Sequence, residues 1–159
     1  LGIGSGWFER DYQEYGYDFG TAGSRLDDLA EALPRIEARL GKLNPAPTRK
    51  IPVLIGGGGE KKTLRLVAKY GDACNVFAGS GPAEVAHKLA VLREWCEHEG
   101  RPYDEIRRSV LYNNPVEEGA AGGTVTLLTK GVLNASRMVE RAGASINQPM
   151  VLCGCRPRL

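Results

Sequence analysis

The sequence predicts an α/β fold built on a parallel sheet, and three features carry that expectation. A short apolar run, Ile51-Pro52-Val53-Leu54-Ile55, leads through four glycines into a basic amphipathic segment, which reads as strand, turn and helix. Two more strand patterns follow at residues 72–77 and 108–112, each separated from the last by a helix-length stretch. Strands alternating with helices at this spacing imply βαβ units and parallel strands, with functional loops at the C-terminal strand ends.

Residues 1–7 alternate glycine with Leu, Ile and Ser and end on Trp7, as expected of a strand with a close-packed tip. Residues 8–23, rich in Tyr, Asp and Glu, read as a functional loop over that strand end. A helix is expected from an N-cap at Ser24, with Leu26, Leu29, Leu33, Ile36 and Leu40 on one stripe and an end at Gly41. Pro34 lies inside it, where it deletes the bond to the Ala30 carbonyl and is expected to kink the axis. Residues 44–48 form an extended linker into the next strand.

Beyond the glycines, Leu64, Val67 and Ala68 mark the buried side of a helix ending at Gly71, with Lys61, Lys62 and Arg65 on its first turns. After the strand at 72–77 comes a loop over 78–82, with Pro82 opening a helix whose stripe is Val85, Leu89, Leu92 and Cys96. Residues 101–105 form a turn before the strand at 108–112. Further on, 116–123 is a polar loop, 124–128 begins a strand or a helix, and 136–143 is a short helix before the apolar stretch 149–153.

A chain of 159 residues fits one domain, and a quarter charged residues is ordinary globular composition. The net charge of +2 and the lack of a long basic run argue against nucleic acid and anionic membranes as partners. No apolar run approaches the roughly 20 residues of a membrane span, and no signal-peptide pattern is present, so a cytoplasmic protein is expected. Leu1-Gly2-Ile3-Gly4 reads as the middle of a strand without an initiator Met, and the expectation is a fragment. Cys74 and Cys96 fall on apolar faces as small core thiols, while Cys153 and Cys155 are too sparse a pattern for a metal; no metal site is expected. His87, off the apolar stripe, reads as a surface residue, and Glu9 and Asp11 as solvated loop carboxylates; no catalytic acid or base is assigned.

The chemistry concentrates on Gly56, Gly57, Gly58 and Gly59. Without Cβ atoms the turn admits positive φ and close approach of a bound group, and unpaired N–H groups at a helix start favour an anion such as a phosphate. Neither the dinucleotide fingerprint nor the P-loop pattern is met, because position 61 is Lys and no Gly-Lys-Ser/Thr follows. Spacing alone therefore leaves open both a phosphate cradle and a plain strand-to-helix turn. Ser5, Gly6 and Trp7, the glycine turn with Ile55, Glu60 and Lys61, and Asn75 all fall at the same expected sheet edge.

Residues 1–12, Leu-Gly-Ile-Gly-Ser-Gly-Trp-Phe-Glu-Arg-Asp-Tyr, then Arg25-Leu26-Asp27 and the stretch 55–75 beginning Ile-Gly-Gly-Gly-Gly-Glu-Lys-Lys, resemble the bacterial luciferase-like oxidoreductases. The likeness is strongest to the branch that uses the deazaflavin coenzyme F420. His87-Lys88-Leu89, Cys96, Gly100-Arg101 and Ile106 continue it, over about residues 1–112.

The resemblance implies a single incomplete (β/α)8 TIM barrel over 1–159, about strands four to eight, lacking the first three strands, with 113–159 as an aberrant tail. An eighth strand is expected near 149–153. It also implies hydride transfer between coenzyme F420 and a small-molecule substrate. The cofactor phosphate would sit at the glycine turn, the ring near Ser5, Gly6 and Trp7, and a homodimer is expected of the full-length protein. Lys61 and Lys62 would face the acidic cofactor tail. The rivals are an FMN-dependent monooxygenase of the same fold and a non-catalytic partial barrel that binds a ligand or partner. The chain by itself is expected to be inactive.

Overall fold

A computed structural model describes residues 1–77, 81–112 and 131–134. Strands β1 (Gly2–Ile3), β2 (Leu54–Gly56), β3 (Ala73–Phe77) and β4 (Arg107–Tyr112) pair in that order, all parallel. Helices α1 (Glu9–Tyr15) and α2 (Ala22–Leu40) lie between β1 and β2, α3 (Thr63–Tyr70) between β2 and β3, and α4 (Pro82–His98) between β3 and β4. A short 3-10 turn, Tyr103–Glu105, leads into β4. The α/β architecture with a parallel sheet is thus present, and it is consistent with part of a (β/α)8 barrel.

Strand β5 (Gly131–Asn134) pairs antiparallel with β4, from Ser109 opposite Asn134 to Tyr112 opposite Gly131. The sequence reading did not identify this strand, and its direction departs from an all-parallel barrel. The loop at 116–123, the segments at 124–128 and 136–143, the expected eighth strand, Cys153 and Cys155 lie outside the described residues.

Strand side chains alternate between faces, and here one face is apolar. Ile55, Cys74, Val76 and Val110 are fully buried on it. Against them pack Leu64, Val67 and Ala68 of α3 and Val85, Leu89, Leu92 and Cys96 of α4, with Ile106 closing the lower end. Leu29 and Leu33 of α2 join the same core. Every position assigned to the two helical stripes after the glycines is therefore buried, as expected. Cys74 and Cys96 are free thiols, and burial pushes the Cys74 thiol up to about 12 and raises Cys96 as well, so both are inert core groups.

Several boundaries differ from the sequence reading. Residues 9–15 form a helix within the expected loop, and Glu9 and Asp11 occupy its exposed first turn, where carboxylates suit the helix dipole. The cap of α2 is Thr21, not Ser24: the Thr21 hydroxyl accepts from Ser24 N–H at 3.0 Å, and Ser24 Oγ accepts from Thr21 N–H at 3.0 Å. Serine at the third helical position closes this capping box in place of the usual Glu or Gln, which is why Ser24 reads as a cap in sequence. Pro34 sits inside an α2 that continues to Leu40, its exposed position sparing the buried stripe. Helix α3 starts at Thr63, so Lys61 and Lys62 precede its first turn.

At the opposite end of the sheet from the glycine turn, Asp72 ties strand starts together. Its Oδ2 accepts from Val53 N–H at 2.8 Å and its Oδ1 meets Lys50 Nζ at 2.5 Å, while Asp72 N–H and Ala73 N–H both donate to Val53 O. Burial pushes the Asp72 carboxyl up, but the Lys50 bond, the Val53 N–H and the charges of Lys50 and Arg101 together hold it below its ordinary value of 3.8. A carboxyl depressed on folding adds stability above its unfolded pKa and loses it as pH falls through the folded one. Asp72→Asn is therefore expected to destabilise the protein by about 1 kcal/mol at neutral pH, discounted for the exposure of Lys50. The difference should close as pH falls from the ordinary carboxylate range through the lowered folded pKa of Asp72. Urea midpoints of both proteins across that range check this.

Among the described residues no helix is long and apolar enough to cross a membrane, and no cluster of His, Cys, Asp or Glu has the makings of a metal site.

Candidate functional site at the carboxyl edge of the sheet

Because β1 to β4 run parallel, their C-terminal ends share one edge, where the loop before α1, the glycine turn and the ends of β3 and β4 converge. Strand β1 stops at Ile3, short of the expected Trp7, because the following backbone turns onto α1 and α2. Gly6 holds φ of 70°, and a Cβ there would collide with the Tyr12 hydroxyl, which donates to Ser5 O at 3.2 Å. Arg25 fastens the same turn from α2. Its Nε donates to Gly6 O at 3.0 Å, its Nη1 to Phe19 O at 2.9 Å, and its guanidinium lies 3.8 Å from the centre of the Phe19 ring. The tip is thereby rigid, while Trp7 itself is 83% exposed with Phe8 tilted against it. Phe77 at the end of β3 is likewise half exposed.

The glycine turn has a definite geometry. Gly57 holds φ of 123°, which L side chains rarely adopt, and its N–H donates to Asn75 O at 2.9 Å, joining the turn to β3. Gly59 O accepts from Leu64 N–H at 2.9 Å at the start of α3. Among the described residues nothing accepts from the N–H groups of Gly58, Gly59 or Glu60. A Cβ at Gly59 would stand 2.8 Å from Thr63 Oγ1, whereas one at Gly58 would make only ordinary contact, at 3.8 Å, with Lys88 Cε.

Ile55 is wholly buried beneath the turn, so at this edge it presents backbone alone. Glu60 is half exposed and bound by two groups from α4, Lys88 Nζ at 2.6 Å and His87 Nε2 at 3.3 Å. The Lys88 hydrogen bond, aided by the charges of Lys88 and His87, holds the Glu60 carboxyl below its usual value against a smaller opposing effect of burial. Trp95 Nε1 donates to Glu60 O at 2.7 Å, so α4 clasps the turn through backbone and side chain together. His87 is a surface residue, as expected, yet one facing an acid that lies far away in sequence.

The cations expected to serve an anion are redistributed. Lys62 Nζ is engaged by Asp27 on α2, with Gly23 O at 3.4 Å, and Arg65 donates to Glu99 at 2.9 Å while lying over Trp95. Lys61 is exposed. The ammonium beside the glycines belongs instead to Lys88, whose side chain is 19% exposed and passes Gly58 on its way to Glu60. The sequence marked Lys88 only as part of the family likeness and not as the cation of the turn, because its pairing with Glu60 spans 28 residues. The other addition is Ser109 on β4, whose Oγ accepts from Asn75 Nδ2 at 2.9 Å.

The structure thus brings Gly56, Gly57, Gly58, Gly59, Glu60 and Asn75 together and fixes Ser5, Gly6 and Trp7 on the same edge, while Lys61 stands apart without a described ion pair. The steric reading of the turn has a direct check. Gly59→Ala should lower the denaturation midpoint, and in a Thr63→Ala background the added cost should shrink by roughly 1 kcal/mol, since the obstructing Oγ1 is gone. Additive losses in that double-mutant cycle would contradict it.

The family model described as luciferase-like monooxygenase matches residues 1–118. Uncharacterized proteins of Mycobacterium bovis and Mycobacterium tuberculosis are 25% identical over 114 residues, a match covering 64% of this chain and 38% of theirs. The chain therefore spans well under half the length of these relatives.

Proposed function

As a chain that belongs to the luciferase-like monooxygenase family, we propose that this protein is part of an oxidoreductase whose glycine turn holds the phosphate of a ring cofactor, coenzyme F420. The observation that carries the reading is the turn itself. Three successive N–H groups, of Gly58, Gly59 and Glu60, lack described acceptors beside the start of α3, with the Lys88 ammonium alongside. Donors of this kind and a largely buried cation suit a phosphate, and the positive φ of Gly57, which glycine adopts without strain, shapes the turn.

When bound, the cofactor supplies hydride chemistry toward a small organic substrate. This chain's residues bind and orient it. The rigid Ser5-Gly6-Trp7 tip offers an exposed aromatic surface, and Asn75 offers a polar edge between that tip and β4. Glu60 restrains Lys88 until an anion competes for it. The other strands of the pocket, the substrate and a homodimeric partner belong to the full-length protein in this reading.

A second reading is favoured by the family's own description: an FMN-dependent monooxygenase using the same turn for the FMN phosphate. Fluorescence titration of the full-length protein with F420 and with FMN separates the two by affinity. Gly58→Val is the informative variant, because a Cβ there makes only ordinary contact with Lys88, and its folding is checked by its denaturation midpoint. It should weaken binding of the preferred cofactor at least about tenfold, the scale of one or two lost phosphate hydrogen bonds. Unchanged affinity would remove the phosphate from the turn, and no binding of either cofactor would leave the non-catalytic partial barrel.

A further inference from the structure

We propose that Ser109 is a positioning residue that fixes the polarity of the Asn75 amide, so that the site presents an acceptor, Asn75 Oδ1, and selects a cofactor ring with an N–H donor on that edge. The inference rests on the cofactor reading above and specifies what part of the ring the site recognises.

The argument is a count of protons. Ser109 Oγ lies 2.9 Å from Cys74 O and 2.9 Å from the terminal amide of Asn75. A carbonyl oxygen only accepts, so the single hydroxyl proton goes to Cys74 O, and Oγ has only lone pairs left for Asn75. The amide must then offer its Nδ2. In the flipped orientation Oδ1 would face Oγ, and the one proton would have to leave either Cys74 O or Oδ1 facing bare oxygen. Cys74 is fully buried, in register with Ile55 on β2 and Arg108 on β4, so its carbonyl is a fixed reference for the whole relay.

With Nδ2 committed to β4, Oδ1 is turned away from Ser109, and it has no partner among the described residues. The register puts Gly56 beside Asn75 on the other flank, with Ser109 beyond it on β4. Gly56 brings no side chain to meet the amide, and a Cβ built there would come no closer to anything than 3.9 Å, to Ile3 O. Asn75 O meanwhile accepts from Gly57 N–H, so the backbone of the same residue is tied to the glycine turn. An acceptor of fixed polarity, without a partner among the described residues, therefore stands on the strand next to the glycine turn. It suits the imide N–H found on the pyrimidinedione end of both flavins and deazaflavins, and it disfavours a ring edge that carries only carbonyl oxygens or a methyl group there.

The test takes whichever of F420 and FMN the full-length protein binds and compares it, by fluorescence titration, with the same cofactor methylated on its imide nitrogen. Methylation should weaken binding to the unaltered protein about tenfold, the worth of one hydrogen bond. In Ser109→Ala the amide is free to turn, and the ratio should fall to about two or less; Ser109→Thr, which keeps the hydroxyl, should restore it. Should Ser109→Ala fail to fold, Ser109→Cys, a weak acceptor of similar size, takes its place with the same expected loss. A ratio near one in the unaltered protein, or a ratio unmoved by losing the hydroxyl, overturns the inference while leaving the cofactor reading intact. Binding of neither FMN nor F420 overturns both.

Discussion

The two-residue period of the parallel strands is the constraint on which the site depends. Burying Ile55, Cys74, Val76 and Val110 under α3 and α4 commits every second strand residue to the core. The residues between them, Gly56, Asn75 and Ser109, are thereby sent to the other face in one register row. A slip of one residue between β2 and β3 would exchange the two sets, replacing the amide and the glycine by buried aliphatics and a thiol. Apolar burial, which carries no information about a ligand, is thus what sets the polar row in line at the edge where the glycine turn begins.

How much of this was legible in the sequence follows from the range of the interactions involved. The stripe Val85, Leu89, Leu92 and Cys96 and the buried side of α3 were legible because helical periodicity is local and strongly apolar. The parallel sheet followed from alternation of elements, and the glycine turn from composition. Residues 9–15 were read as loop because nothing there is buried, so the helix carries no apolar stripe to reveal it. The Thr21 cap was hidden by a serine at the third helical position, which looks like a cap itself. Lys88 and Ser109 were out of reach for another reason: each acts through a partner on a separate element, and a single sequence holds no trace of such pairing.

The electrostatics of the turn also look different once the partners are known. In sequence, three cations near a helix start suggest a diffuse attraction for an anion. In the fold, Lys62 and Arg65 are engaged by carboxylates of α2 and the end of α4, which removes most of their reach toward the turn. Lys88 remains beside the glycines, and its partner Glu60 is half exposed and belongs to the turn itself. Under the proposed cofactor reading, an incoming phosphate would compete with Glu60, a half-exposed carboxylate, for that one cation. This arrangement exchanges one ion pair for another, and it keeps the cost of leaving Lys88 unpaired low when the site holds no anion.

The division of labour that results is one of placement rather than of proton transfer. Of the titratable groups at this edge, Glu60 is held as a carboxylate by Lys88 and His87, and Glu9 and Asp11 stand in solvent on α1. The lowered pKa of Glu60 is the opposite of what a general acid needs near neutral pH. What the described residues supply in quantity is rigidity: a tip fastened by Arg25, a turn joined to β3 through Gly57 and Asn75, and an amide held by Ser109 against a buried carbonyl. If the proposed hydride transfer holds, rigidity is the main requirement on the protein, since the donor and acceptor carbons must be brought into contact and aligned while the chemistry resides in the cofactor. A sheet edge that orients without ionising is therefore a coherent half of such a site.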